Sequence, residues 1–212
     1  MGEHLLQVRL GTTERARQFY DSQVVAELTP VMREFIGRME MAFIATSDAG
    51  GECDCSFRAG PAGFIRVIDD ATIAYPDYRG NGVMASLGNM LENQHIGMLL
   101  VDFAEDLVGL HVNGEARVFT RAEMQKLDPG LPDGDPPGRR AACWVVVTVT
   151  EAYIHCSKHI PRLVPQPRTR HWGTDSPRHK RSGYFGVQAG ESPLSVAGPG
   201  SLSGHGDHDQ PR

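Results

Sequence analysis

Residues 41–76 read MAFIATSDAGGECDCSFRAGPAGFIRVIDDATIAYP, and this stretch decides the fold class. MAFIATS (41–47) has the composition of a strand, and Asp48-Ala49-Gly50-Gly51 reads as a hairpin turn. ECDCSF then returns as a second strand, and Arg58 to Gly63 forms a loop with two glycines and a proline. FIRVI is a third strand, Asp69-Asp70 a tight turn, and TIAYP a fourth strand. Connections this short force antiparallel pairing, because parallel neighbours need a crossover of about a dozen residues or more.

Working outward toward the N-terminus, residues 13–28 carry a helical stripe of Ala16, Phe19, Tyr20, Val24, Val25 and Leu28. Thr29-Pro30 starts a second helix, with Thr as cap and Pro in the first turn, and Val31, Met32, Phe35, Ile36 and Met39 as its buried face. Toward the C-terminus, Pro76 to Gly82 is a second irregular loop. The helix after it has Val83, Met84, Leu87, Met90 and Leu91 on one face and Ser86, Asn89 and Asn93 on the other. HIGMLLVDF and LVGLHVNGEARVFT read as further strands, Arg121 to Leu127 as a short helix, and Asp128 to Arg140 as a Pro/Gly-rich loop. ACWVVVTVTEAYIHC is a long β-branched strand. About six antiparallel strands with one interposed helix predict a mainly β fold, a closed or nearly closed barrel with N-terminal helices. The expected organisation is a helical extension over 1–40, the barrel over 41–163, and a Pro/Gly-rich extension over 164–212. In that extension Trp172, Tyr184 and Phe185 are candidates to dock, and the part from Ala189 reads as a disordered tail.

Apolar residues make up 40 % of the chain, enough for one packed core, and the formal net charge is -5. That balance argues against a nucleic-acid partner, which calls for a basic surplus. No apolar run approaches the roughly 20 residues of a membrane span, and the first residues carry no secretory h-region, so a cytoplasmic location without membrane contact is expected. The four cysteines, Cys53, Cys55, Cys143 and Cys156, have no zinc-site spacing and read as reduced thiols. Cys53 and Cys55 share one sheet face and read as packing, Cys156 reads as a buried strand cysteine, and no metal site is expected. No nucleophile elbow, Ser-His-Asp order or Walker loop occurs, and His205 and His208 belong to the tail.

The run CSFRAGPAGFIRVIDDATIAYPDYRGNGVMASLGNMLENQHIGMLLVDF, followed by GLHVNGEARV and HCSKHIPR, resembles the pyridoxamine 5'-phosphate oxidase-like family, in its flavin-nucleotide-binding branch. The resemblance covers roughly residues 41–162. Three pieces carry it: the x-R-x-G-x-x-G-F loop, the Y-P-D-x-x-G-N loop entering a helix, and V-N-G-E-A-R-V. It implies an FMN-binding split barrel working as a homodimer, with cofactor sites at the interface and redox chemistry on a small molecule. It also leaves open a non-catalytic flavin or haem-binding protein, a deazaflavin coenzyme, or a dimer that has lost its cofactor.

FMN demands a site for a phosphate dianion and a site for a flat, largely apolar ring. Arginine forks, hydroxyls and backbone N–H groups near a helix start meet the first demand. On these grounds and on the resemblance, the candidate cofactor residues are Ser56, Arg58, Tyr75, Pro76, Asp77, Arg79, Asn81, Ser86, Asn89, His111 and Lys158. His111, His155 and His159 are candidate haem ligands in the alternative reading. Gly82 stands where many relatives carry a basic residue, and Gly109 and His111 lie on a strand that in many relatives carries Gln or Arg.

Overall fold

The computed structural model describes residues 2–132, 134, 140–166 and 185. The chain divides into two units, Met1–Asp175 and Ser176–Arg212. Of the second only Phe185 is described, and every helix and strand named here belongs to the first. The predicted tail and the docking of Trp172 and Tyr184 lie outside the described residues.

The elements are α1 (Gly2–Leu10), α2 (Thr13–Gln23), α3 (Pro30–Arg38), β1 (Met41–Ser47), β2 (Cys53–Ala59), β3 (Arg66–Val67), β4 (Thr72–Tyr78), α4 (Ala85–Glu92), β5 (His95–Val101), β6 (Gly109–Phe119), α5 (Arg121–Leu127) and β7 (Ala141–His155). A short 3-10 turn, Ser157–His159, comes after β7. The strands form one antiparallel seven-stranded sheet in the order β2-β1-β5-β6-β7-β4-β3. The fold class is therefore mainly β with flanking helices, as the strand pattern predicts. The sheet is not fully closed: β2 and β3 end it, and no ladder joins them. The sheet nevertheless rolls. Arg58 on β2 and Asp77 on β4 stand near opposite ends of the strand order, yet their side chains meet at 3.0 Å.

Alternation explains which side the core takes. Along β1, Ala42, Ile44 and Thr46 are buried, while Phe43 and Ala45 are exposed. The inward set joins Ile73, Tyr75, Met98, Leu100, Val112, Val145 and Val147 in one apolar cluster, roofed by Phe35 and Ile36 of α3 and Leu87 and Met90 of α4. On the outer face the register lines up Phe57, Phe43, Leu99, His111 and Tyr153 across five strands. The Phe43 and Phe57 rings lie 5.5 Å apart and remain exposed.

Gly114 in the VNG segment sits where the β6–β7 register slips by one residue, between Asn113 and Gly114. A Cβ at 114 would overlap the Thr148 carbonyl of β7 and stand 3.1 Å from Val147 Cγ1. Only glycine permits that approach.

Several local expectations need correction. Three helices lead the chain, not two: α1 has no apolar stripe to betray it, and it buries nothing. α2 ends at Gln23, and Val25 instead bridges to Ala152 of β7 through N–H···O bonds of 3.0 and 2.7 Å. Thr29 does cap α3, accepting from the Met32 N–H at 3.3 Å, but Val31 faces solvent. α4 begins at Ala85, after Met84 takes a left-handed conformation (φ 55°). Val83 and Met84 thus precede the helix, and both they and Leu91 are exposed. FIRVI contributes only Arg66 and Val67 as strand. All four cysteines are free thiols. Cys53 and Cys55 lie on the exposed side of edge strand β2, and Cys156 lies beyond β7 and is exposed, so none of these three is core packing. Cys143 is half-buried, and burial pushes its thiol up to about 11. No described helix is long and apolar enough to cross a membrane.

Candidate functional site

A cleft of about 790 Å³ opens between β2, the end of β4, the loop 79–84 and the start of α4. β2 delivers three polar side chains to it because Asp54, Ser56 and Arg58 alternate onto one strand face, opposite exposed Cys53, Cys55 and Phe57. β4 delivers Asp77, the loop delivers Arg79 and Asn81, and the first turn of α4 delivers Ser86. Of the residues predicted from sequence, Ser56, Arg58, Asp77, Arg79, Asn81 and Ser86 therefore line one cavity.

Two carboxylates organise the cleft. Asp54 Oδ2 accepts the Ser86 hydroxyl at 2.7 Å and the Ser56 hydroxyl at 2.9 Å. These bonds, helped by Arg58, hold Asp54 below the usual carboxylate range, so it is ionised at neutral pH. Asp77 pairs with Arg58 at 3.0 Å, and both side chains are largely buried, 16 % and 21 % exposed. Burial raises Asp77, against the pull of the Arg58 guanidinium. Arg58 Nε is buried and makes no hydrogen bond. The buried Tyr75 hydroxyl and Asp77 Oδ2 likewise make no hydrogen bond, so this group of polar atoms is incompletely satisfied, whereas buried polar groups are normally paired.

The loop is shaped by its own side chains. Asn81 Oδ1 accepts the Val83 N–H at 3.0 Å, and the Arg79 N–H donates to the Arg140 carbonyl at 3.3 Å. Ala85, Ser86 and Leu87 reach the cleft, so the positive end of α4 faces it.

The other predicted residues stand elsewhere. Tyr75 is fully buried in the apolar core and does not line the cleft, and burial pushes its hydroxyl well above the ordinary tyrosine range. Pro76 faces the opposite side of β4, where it lines a smaller cavity of about 140 Å³ with Trp144 and Phe64. Asn89 donates to the Thr46 hydroxyl at 3.1 Å, tying α4 to β1. Lys158 lies in the exposed 3-10 turn. His111 is half-buried on the outer face. It stacks on Tyr153 (centroids 4.6 Å, 15°), and its Nε2 lies 3.0 Å from His155 Nδ1. Burial, and then His155, lower His111, which favours the neutral imidazole. Gly109 is sterically fixed, because a Cβ there would stand 2.9 Å from His155 Cβ and 3.0 Å from the Leu100 carbonyl. A Gln or Arg at 109 would thus require His155 and the Leu100 carbonyl to shift.

Sequence reasoning missed Asp54. The signal was present: D-C-S-F-R puts Asp54, Ser56 and Arg58 on one face. It also missed His155 as the partner of His111, since their meeting depends on the β6–β7 register.

Residues 28–156 match the family model described as pyridoxamine 5'-phosphate oxidase. No curated protein matches. Among solved structures, the chain is similar to HupZ from Group A Streptococcus (24 % identity, 59 % of this chain and 91 % of that one, TM-score 0.42). It is also similar to a Lactobacillus delbrueckii protein assigned as a pyridoxamine 5'-phosphate oxidase (15 %, 61 % and 95 %, TM-score 0.46). A third is an FMN-binding protein from Syntrophomonas wolfei (14 %, 71 % and 96 %, TM-score 0.42). At such identities and scores these likenesses carry no argument about function, which rests on the family model and the cleft.

Proposed function

We propose, since the chain belongs to the pyridoxamine 5'-phosphate oxidase family, that it is an FMN-binding oxidoreductase acting on a small molecule, with the phosphate end of the flavin in the cleft beside Arg58. The observation that supports this most is the convergence of Arg58, Arg79, Ser56, Ser86 and the α4 N-terminus on one open cavity. These groups fit a phosphate: Arg58 has a buried N–H without a partner, two serine hydroxyls line the cleft although both donate to Asp54, and the helix end favours negative charge. A bound flavin supplies transfer of a hydride or an electron pair. The chain's own residues bind and orient: Arg58 neutralises phosphate charge, Ser56 and Ser86 orient the phosphate once they turn from Asp54 toward it, and Asn81 holds the loop that borders it. Tyr75 is buried, and burial keeps its hydroxyl protonated.

Titration of the purified protein with FMN is expected to quench flavin fluorescence and shift its visible bands. A preparation that gives neither change contradicts the proposal, and competition with a deazaflavin coenzyme decides between the two ring systems.

A homodimer is part of this reading. The exposed Phe43–Phe57 pair, continued by Leu99 across the outer face, is an apolar strip of the kind that subunit contacts cover. Sedimentation is expected to give twice the chain mass, and replacing Phe43 by arginine to shift the protein toward monomer. A monomer before substitution contradicts this.

The His111–His155 pair favours a second reading, haem binding, because a neutral imidazole is the form that ligates iron. A Soret band on haem addition, lost on His111→Ala, supports it, and no band rejects it.

A further inference from the structure

Ser56, Ser86 and one arm of the Arg58 guanidinium are already engaged by the protein's own carboxylates. Each serine hydroxyl owns one proton, and an ionised carboxylate is a stronger acceptor than a neighbouring hydroxyl. Ser56 and Ser86 therefore both donate to Asp54, at 2.9 and 2.7 Å, and their mutual approach of 3.0 Å leaves no proton for a third group. Arg58 is likewise engaged by Asp77 at 3.0 Å. The geometry is that of an anion site filled by an anion the chain carries itself.

We propose that Asp54 is a specificity-determining residue of this cleft. It competes internally for Ser56 and Ser86, weakens dianionic phosphate, and narrows the preference for a phosphate-ended flavin over one ending in a hydroxyl. This rests on the flavin reading above. A hydroxyl end can donate to Asp54. A phosphate dianion must take both serines away from Asp54 and then sit beside a like charge.

The test compares dissociation constants for FMN and riboflavin in the full-length protein and in Asp54→Asn, which keeps the shape and removes the charge. The variant is expected to bind FMN about tenfold tighter or more, while riboflavin moves less than about threefold. Ser86→Ala is expected to lower FMN affinity by a smaller factor in the natural protein than in the Asp54→Asn background, where the hydroxyl is released and the loss is about tenfold. An FMN-to-riboflavin preference that is unchanged or reduced in Asp54→Asn overturns the proposal, whatever happens to thermal stability. Asp54→Ser serves the same comparison if the asparagine variant does not fold. Should neither flavin bind, the flavin reading fails but Asp54 is still decided by calorimetric titration with inorganic pyrophosphate. Tighter binding to the variant than to the natural protein supports its role, and equal or absent binding overturns it.

Discussion

Arg58→Ala is expected to lower FMN affinity by about a hundredfold and to destabilise the fold by about 3 kcal/mol. The first effect is the loss of charge-assisted bonds to phosphate, each contributing about 1.5–3 kcal/mol. The second arises because Asp77, only 16 % exposed, loses the guanidinium that compensates its burial. The two effects separate. Arg58→Ala combined with Asp77→Asn is expected to regain most of the stability and none of the affinity, by denaturant melts and flavin titration respectively.

Proton linkage gives Asp77 a recognisable signature. Burial already raises it in the natural protein. Between its unfolded and folded values the native state binds more protons, so stability falls as pH rises. Its contribution is fully present below the ordinary carboxylate range and is lost as pH rises through the raised value. Removing Arg58 raises Asp77 further and steepens this loss, whereas Asp77→Asn abolishes it. Melts across pH 4 to 8, roughly, check the sign. A stability advantage of Arg58→Ala/Asp77→Asn over Arg58→Ala that fails to widen as pH rises contradicts the assignment.

Gly114→Val is expected to prevent stable folding, and Gly114→Ala to cost roughly 3 kcal/mol or more, the upper end of overpacking effects. The reason is the opposing backbone. The clash is with the Thr148 carbonyl, which cannot swing aside as a side chain can, and with Val147 behind it. The bulge also sets the β6–β7 register that pairs His111 with Tyr153. The alanine variant is therefore expected to lose the His111–His155 contact as well as stability, which the histidine proton signals report. An alanine variant as stable as the natural protein contradicts the close approach.

Legibility in the sequence tracked the range over which each signal acts. β1, β2 and β4 were readable from local alternation and from the Asp48–Gly51 turn, and short connections gave the β1–β2 and β3–β4 hairpins, but β2 and β3, though joined by a short loop, do not pair and end opposite edges of the sheet. The Thr29-Pro30 start of α3 was readable because capping is a local contact. The onset of α4 was not: Val83 and Met84 look helical by polarity, but the left-handed Met84 ends the loop first. α1 was invisible because its leucines, Leu5, Leu6 and Leu10, are all exposed and so obey no period. The cleft was half legible. The glycine-rich loop and Arg58 were found, while the Arg58–Asp77 pair required the sheet to roll, a property of seven strands together that no short window carries. Asp54 was overlooked although plain alternation places it beside Ser56, because a phosphate site is sought among cations and an anion there reads as surface.

A phosphate dianion lying against Arg58, in the cleft between β2 and α4, is the contact on which the proposed function depends. The most direct measurement is the phosphorus NMR signal of FMN added to the protein. The expected result is a bound signal displaced from free FMN that returns to the free position in Arg58→Ala. Flavin that binds with its phosphorus signal unmoved, or moved equally in Arg58→Ala, would place the phosphate elsewhere and contradict it.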